Sequence, residues 1–191
     1  MKHMKHARTL ALSALCLVAG SASAHTGSHA VTGFVSGLSH PLLGLDHLLA
    51  MIAIGLWAAQ QGGRAVWAVP AAFVGAMGLG GGLALSGLVL PQAETGLAVS
   101  VLVLGLLIAT QRQWTVLAGM AIAAVFAVFH GYAHGLEMPQ AASPMLYALG
   151  FILATACLHG VGIAGSQIGR HAMRLAGAVI AASGLAMLFG M

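Results

Sequence analysis

The chain has 191 residues, 60% of them hydrophobic and only 5% charged, with 7 Lys and Arg against 3 Asp and Glu. Soluble domains carry about 25% charged residues, so the composition excludes an ordinary soluble enzyme and indicates an all-α integral membrane protein. The formal charge of +4 marks no nucleic-acid partner, because three of the basic residues, Lys2, Lys5 and Arg8, crowd the first eight positions and the rest are scattered.

Residues 1–24 read as a cleavable signal peptide. They have a basic start, an apolar stretch from Thr9 to Ala19 that is short for a membrane crossing, and the small-residue site Ala22-Ser23-Ala24. Cleavage there places a mature N-terminus at His25, outside the cytoplasm, in a bacterial-type inner membrane. His25 and His29 then stand in HTGSH beside a free amine. That segment is either a metal-catching tail or a flexible polar one.

The stretch AVTGFVSGLS, residues 30–39, is apolar, broken by glycine and too short to span. It is expected to be a half-helix or re-entrant lead-in. HPLLGLDH, His40 to His47, follows. Pro41 disfavours helix for the residue before it and suits a first helical position. His40 is therefore expected at or just before the N-terminus of the first span, with Asp46 and His47 one to two turns inside.

Apolar runs predict a six-transmembrane-helix bundle, with spans near 42–60, 66–88, 95–110, 114–133, 145–164 and 173–190. Their continuity argues against a membrane β-barrel, whose strands alternate over about ten residues. The breaks QQGGR, LPQAE, QRQ, GLEMPQAASP and GSQIGRHAMR are short, so sequential helices are expected to pack as antiparallel neighbours in one membrane domain, 25–191. Glycine-rich GLGGGLALSG (78–87) and GVGIAGSQIG (160–169) fit close helix approach. Cys157 and Met51, Met77 and Met120 read as packing residues, and His171 as a solvated loop residue. No GxxxxGK[ST] loop occurs, so no ATPase subunit is implied.

The fourth span ends in FHGYAHGLE, Phe129 to Glu137. At about 100° per residue, His130, His134 and Glu137 fall within a sector of about 60° if the helix persists through Gly131 and Gly135. The motif is not HExxH, so the metalloprotease signature is absent. With His25 outside, Arg64, Arg112, Arg170 and Arg174 all fall in cytoplasmic loops, as the positive-inside rule requires. Both histidine motifs then lie in the outer half of the bilayer, with Glu94 at the same level and His159 deeper. Ionisable groups inside a membrane typically mark ion or proton pathways. Imidazole and carboxylate suit Ni²⁺, Co²⁺ or Zn²⁺ better than Cu(I).

HPLLGLDH and FHGYAHGLE resemble the two signature motifs of the HupE/UreJ family of nickel and cobalt permeases, and the signal peptide, span number and length are similar too. The resemblance implies import of Ni²⁺, or Co²⁺, as substrate rather than as a prosthetic group. It also implies that His40, Asp46, His47, His130, His134 and Glu137 handle the metal. Glu94, His159, His25 and His29 are further candidates from topology alone. Two other readings stay open on the residues themselves, an intramembrane zinc-dependent hydrolase and a metal-binding sensor or storage subunit.

Overall fold

The computed structural model describes residues 29–139 and 142–190. The signal-peptide expectation for 1–24 and the candidate His25 lie outside the described residues. Among the described residues seven α-helices follow in order: α1 His29–Leu43, α2 Leu45–Gln61, α3 Ala65–Leu85, α4 Ala93–Thr110, α5 Val116–Glu137, α6 Pro144–Gly165 and α7 Arg170–Leu188, with a 3₁₀ turn Ser166–Ile168 before the last. No strand occurs among the described residues. The six predicted spans correspond to α2 through α7. His171, expected in a loop, lies in the first turn of α7 and is exposed.

Among the described residues five helices, α3 to α7, are long and apolar enough to cross a membrane by themselves. The lead-in is a helix, α1, which meets α2 at 81°, and the two together form one broken span or a re-entrant piece. The break falls at Gly44, not at His40-Pro41 as the sequence suggested. Pro41 lies inside α1, close enough to its end that few intrahelical bonds follow the N–H that proline lacks. Gly44 instead takes an extended conformation, φ −88° and ψ 119°. A methyl group there would come within 2.9 Å of His47 Nδ1 and 3.0 Å of Asp46 Oδ1. The vertex is thus a residue over which two polar side chains fold back.

Helix α2 runs through the centre. Its buried residues include Ala50, Met51, Ala53, Ile54, Trp57 and Ala58, which cover more than one face, and it touches α3, α4 and α6. A helix apolar all round belongs in such a place. The outer helices turn Leu79, Leu117, Val125, Leu149 and Val179 outward, as a lipid solvent permits. Met51 and Met77 are buried, in keeping with a packing role. Cys157 is exposed on α6 rather than packed inside.

Chain neighbours are not the main packing partners. The closest pairs are α3 with α5, α4 with α7, and α6 with both α1 and α2, which corrects the expectation of sequential antiparallel neighbours. Glycine decides the pairing, because without a side chain two membrane helices can touch backbone to backbone. A methyl on Gly131 would land on the Met77 carbonyl, and one on Gly80 on the Val128 carbonyl. Gly55 and Gly162 do the same for α2 and α6, and Gly105 and Gly177 for α4 and α7.

Charge is separated end to end. Asp46 and Glu94 sit in the first turns of α2 and α4, where acids suit the helix dipole, and Arg64 and Arg112 follow the far ends of the same helices. At the arginine end the loops are tied together: the Gln61 amide donates to the Arg112 carbonyl (3.1 Å), and the Gln111 amide to the Arg170 carbonyl (2.7 Å). Arg64 lies over Trp67 and Arg112 over Trp114, each 6.0 Å from the ring centre. Exposed tryptophans beside arginines are the signature of a membrane interface.

Candidate metal centre

Both histidine motifs converge at the opposite end. Helix α5 persists through Gly131 and Gly135 to Glu137, which gives His130, His134 and Glu137 the common face that their spacing predicts. The bend at Gly44 brings His40, at the end of α1, and His47, at the start of α2, against that face. Ring centroids are 4.8 Å apart for His40–His134, 3.9 Å for His47–His134 and 5.1 Å for His47–His130. The four imidazoles form one continuous chain of contacts from partly buried His40 to His130, which is 0% exposed.

Each carboxylate of the motifs holds one imidazole. Asp46 Oδ1 accepts the His47 backbone N–H at 2.9 Å and the ring Nδ1–H at 2.8 Å. An ionised carboxylate can only accept, so Nδ1 carries the hydrogen, and in the neutral ring His47 Nε2 is left as a lone pair. That atom is buried without a hydrogen-bond partner. His40 Nε2–H donates to Glu137 Oε2 at 2.8 Å, across 97 residues of sequence. Neither ring nitrogen of buried His134 has a partner among the described residues.

His40, His134 and Glu137 each offer a ligand atom, and the three atoms lie within 4.8 Å of one another. Ligand atoms arranged tetrahedrally about one ion at about 2.1 Å lie about 3.4 Å apart, so the three side chains would have to close in by up to roughly an ångström to seat a first-row dication. The donors are imidazole nitrogen and carboxylate oxygen, the set that suits such an ion.

A cavity of about 960 Å³ opens beside this cluster, walled by Asp46, Glu94, Glu137, Gln92, Thr95 and Tyr132 among others. Those three acids are all the Asp and Glu in the chain. Glu94 therefore shares the vestibule with the motif acids while making no hydrogen bond to the histidines. His159 stands apart from the four motif imidazoles. It is buried, its ring lies 5.4 Å from Phe73, and Phe73 in turn lies 5.7 Å from His130. His29 opens α1.

Sequence reasoning missed Ser100. This buried residue of α4 approaches His130 Nε2 to 2.8 Å. A single serine in an apolar span gives little signal, because most such hydroxyls bond only to their own helix.

The fold and the site define a polytopic membrane protein with an intramembrane histidine and carboxylate cluster beneath an acidic vestibule. The family described as HupE / UreJ protein matches residues 13–187. "Protein HupE" of Rhizobium leguminosarum bv. viciae is 43% identical over 195 aligned positions, covering 100% of both chains. The chain belongs to the HupE/UreJ family, whose members are transporter-type membrane proteins and not enzymes. That membership sets aside the intramembrane hydrolase reading. No solved structure matches the chain.

Proposed function

We propose that the protein imports Ni²⁺, with Co²⁺ as the alternative substrate, by secondary transport through the histidine cluster. The observation that carries this reading is the vestibule. Every acid of the chain lines it, and two of those acids are hydrogen-bonded to the histidines behind it. An acidic mouth raises the local concentration of a cation. Buried imidazole nitrogens without partners then replace part of its water shell. Leaving such atoms unpaired in a low-dielectric interior is costly, and a ligand that passes through offsets that cost.

In this reading His40, His134 and Glu137 take the ion first, and His47 and His130 receive it deeper, with Asp46 orienting His47. Carboxylate-held imidazoles are stronger and better aimed metal ligands. Glu94 acts as a vestibule charge. His159 could serve a later step inward, and His25 and His29 an earlier one outside. The acid-lined end faces away from the cytoplasm and the arginine end toward it. The membrane potential then favours inward movement of a dication by about 4.6 kcal/mol per 100 mV. Ligand imidazoles must be free of protons at the binding nitrogen, so protons compete with the metal.

The test is radioactive nickel uptake into liposomes carrying the purified protein, with an inside-negative potential, for wild type, His47→Ala and His134→Ala. Uptake by wild type that both substitutions abolish supports the reading. Binding without accumulation would turn it into a sensor or storage protein, and no response to nickel or cobalt would end it.

A further inference from the structure

The Ser100 hydroxyl is within hydrogen-bond distance of two atoms, the Leu97 carbonyl oxygen at 2.6 Å and His130 Nε2 at 2.8 Å. A hydroxyl has one hydrogen to give. A carbonyl oxygen has none, and two oxygens at 2.6 Å repel unless a hydrogen lies between them. The serine hydrogen therefore points at Leu97. Toward His130 the hydroxyl presents a lone pair, which only an N–H can meet. His130 Nε2 must carry a hydrogen, and Nδ1 is left free to carry none.

His130 Nδ1 is buried and has no hydrogen-bond partner, while the His47 ring lies 5.1 Å away, centre to centre. The same logic at a neutral His47 leaves its Nε2 bare. Two neighbouring imidazoles thus use opposite ring nitrogens as anchors, one held by a carboxylate and the other by a hydroxyl.

We propose that Ser100 is a positioning residue of the transport pathway: by accepting from Nε2–H it fixes His130 in the tautomer whose Nδ1 is a free metal donor. This rests on the reading of the cluster as a cation pathway, but the tautomer itself does not. Ser100 touches no ion. Its partner, the Leu97 carbonyl, keeps the hydroxyl from rotating, so the hydroxyl cannot give its hydrogen to His130 and block the ring. Outer-sphere partners of metal-binding histidines typically change affinity or activity by about 10- to 100-fold when removed.

The experiment uses the full chain in bilayers, ¹⁵N-labelled on histidine ring nitrogens, for wild type, Ser100→Ala and Ser100→Thr, with His130→Gln to assign the His130 signals. Metal-free wild type and Ser100→Thr should show His130 protonated at Nε2, and Ser100→Ala should show a shift toward the Nδ1–H form. In nickel uptake, Ser100→Ala should raise KM at least about 10-fold at matched protein content, and Ser100→Thr should restore it. A wild-type His130 protonated at Nδ1 would overturn the proposal. So would a Ser100→Ala variant that loses uptake with its tautomer unchanged, since that marks a packing role only. If wild type shows the Nε2–H tautomer yet moves no metal, the pathway reading fails while the hydrogen-bond assignment stands.

Discussion

Asp46 holds the residue that follows it twice, accepting the backbone N–H of His47 at 2.9 Å and its ring Nδ1–H at 2.8 Å. One carboxylate oxygen thereby satisfies a first-turn N–H of α2 and sets the direction of an imidazole. The pair is a local device, complete within two residues, and it needs only the bend before it. Asp46→Ala should therefore cost nickel transport about 10- to 100-fold in kcat/KM while protein abundance in the membrane stays near wild type. Asp46→Asn, which keeps an acceptor but no charge, should fall between. Uptake assays at matched expression check this, and a wild-type Asp46→Ala would remove Asp46 from the site.

Gly44 separates fold from function. Its φ of −88° suits any residue, so Gly44→Ala should leave the backbone unstrained. The added methyl nevertheless meets His47 Nδ1 and Asp46 Oδ1. We expect a folded protein, judged by its detergent melting temperature, with impaired uptake. Unimpaired uptake would mean that the Asp46–His47 geometry tolerates displacement.

Backbone contacts make a sharper stability prediction. Gly162→Ala drives a methyl into the Ile52 carbonyl across the α2–α6 crossing, and Gly131→Ala does so at Met77. Neither obstacle is a flexible side chain, so each substitution should destabilise by roughly 1–3 kcal/mol or more. Gly160→Ala, with nothing within 4 Å of the new methyl, should be neutral or stabilising by up to about 1 kcal/mol. Thermal unfolding in one detergent orders the three variants.

Glu94 lines the vestibule without bonding to the histidines. Glu94→Gln should lower uptake most at low metal and low ionic strength, and the difference from wild type should shrink as salt screens the mouth. A defect that is independent of salt would indicate direct ligation instead.

Orientation is open to single-cysteine labelling after Cys16 and Cys157 are replaced by serine. Pro91→Cys, at the acidic end, should react with an impermeant maleimide added outside cells. Gln167→Cys, in the 3₁₀ turn at the arginine end, should react only after permeabilisation. The reverse pattern would place the vestibule on the cytoplasmic side.

Much of this arrangement was legible in the sequence for a plain reason. In a membrane, span length and charge placement are tightly constrained, so the helices and their two polar ends follow from the apolar runs. The i, i+4, i+7 pattern of His130, His134 and Glu137 likewise fixed a shared face once the helix held. What failed was long-range or atomic. Pro41 looked like the break, yet the break lies at Gly44, where the room needed by Asp46 and His47 decides. Helix partners could not be read from loop lengths, because the choice depends on which glycines meet, as at Gly55 and Gly162. Ser100 was invisible for the same reason, since its importance comes from a histidine thirty positions away.

The glycine crossings have a mechanical consequence. Side chains in a packed layer can swap rotamers and absorb small displacements, but carbonyl and amide groups in direct contact cannot. The α3–α5, α4–α7 and α2–α6 pairs are therefore stiff struts, each moving as a unit or not at all. The two histidine motifs ride on different struts, His47 on one and His130 and His134 on another. On the proposed transport reading, opening the cluster toward the arginine end requires one strut to pivot past its neighbour, and a cross-link within a strut should be harmless where one between struts would stall the cycle.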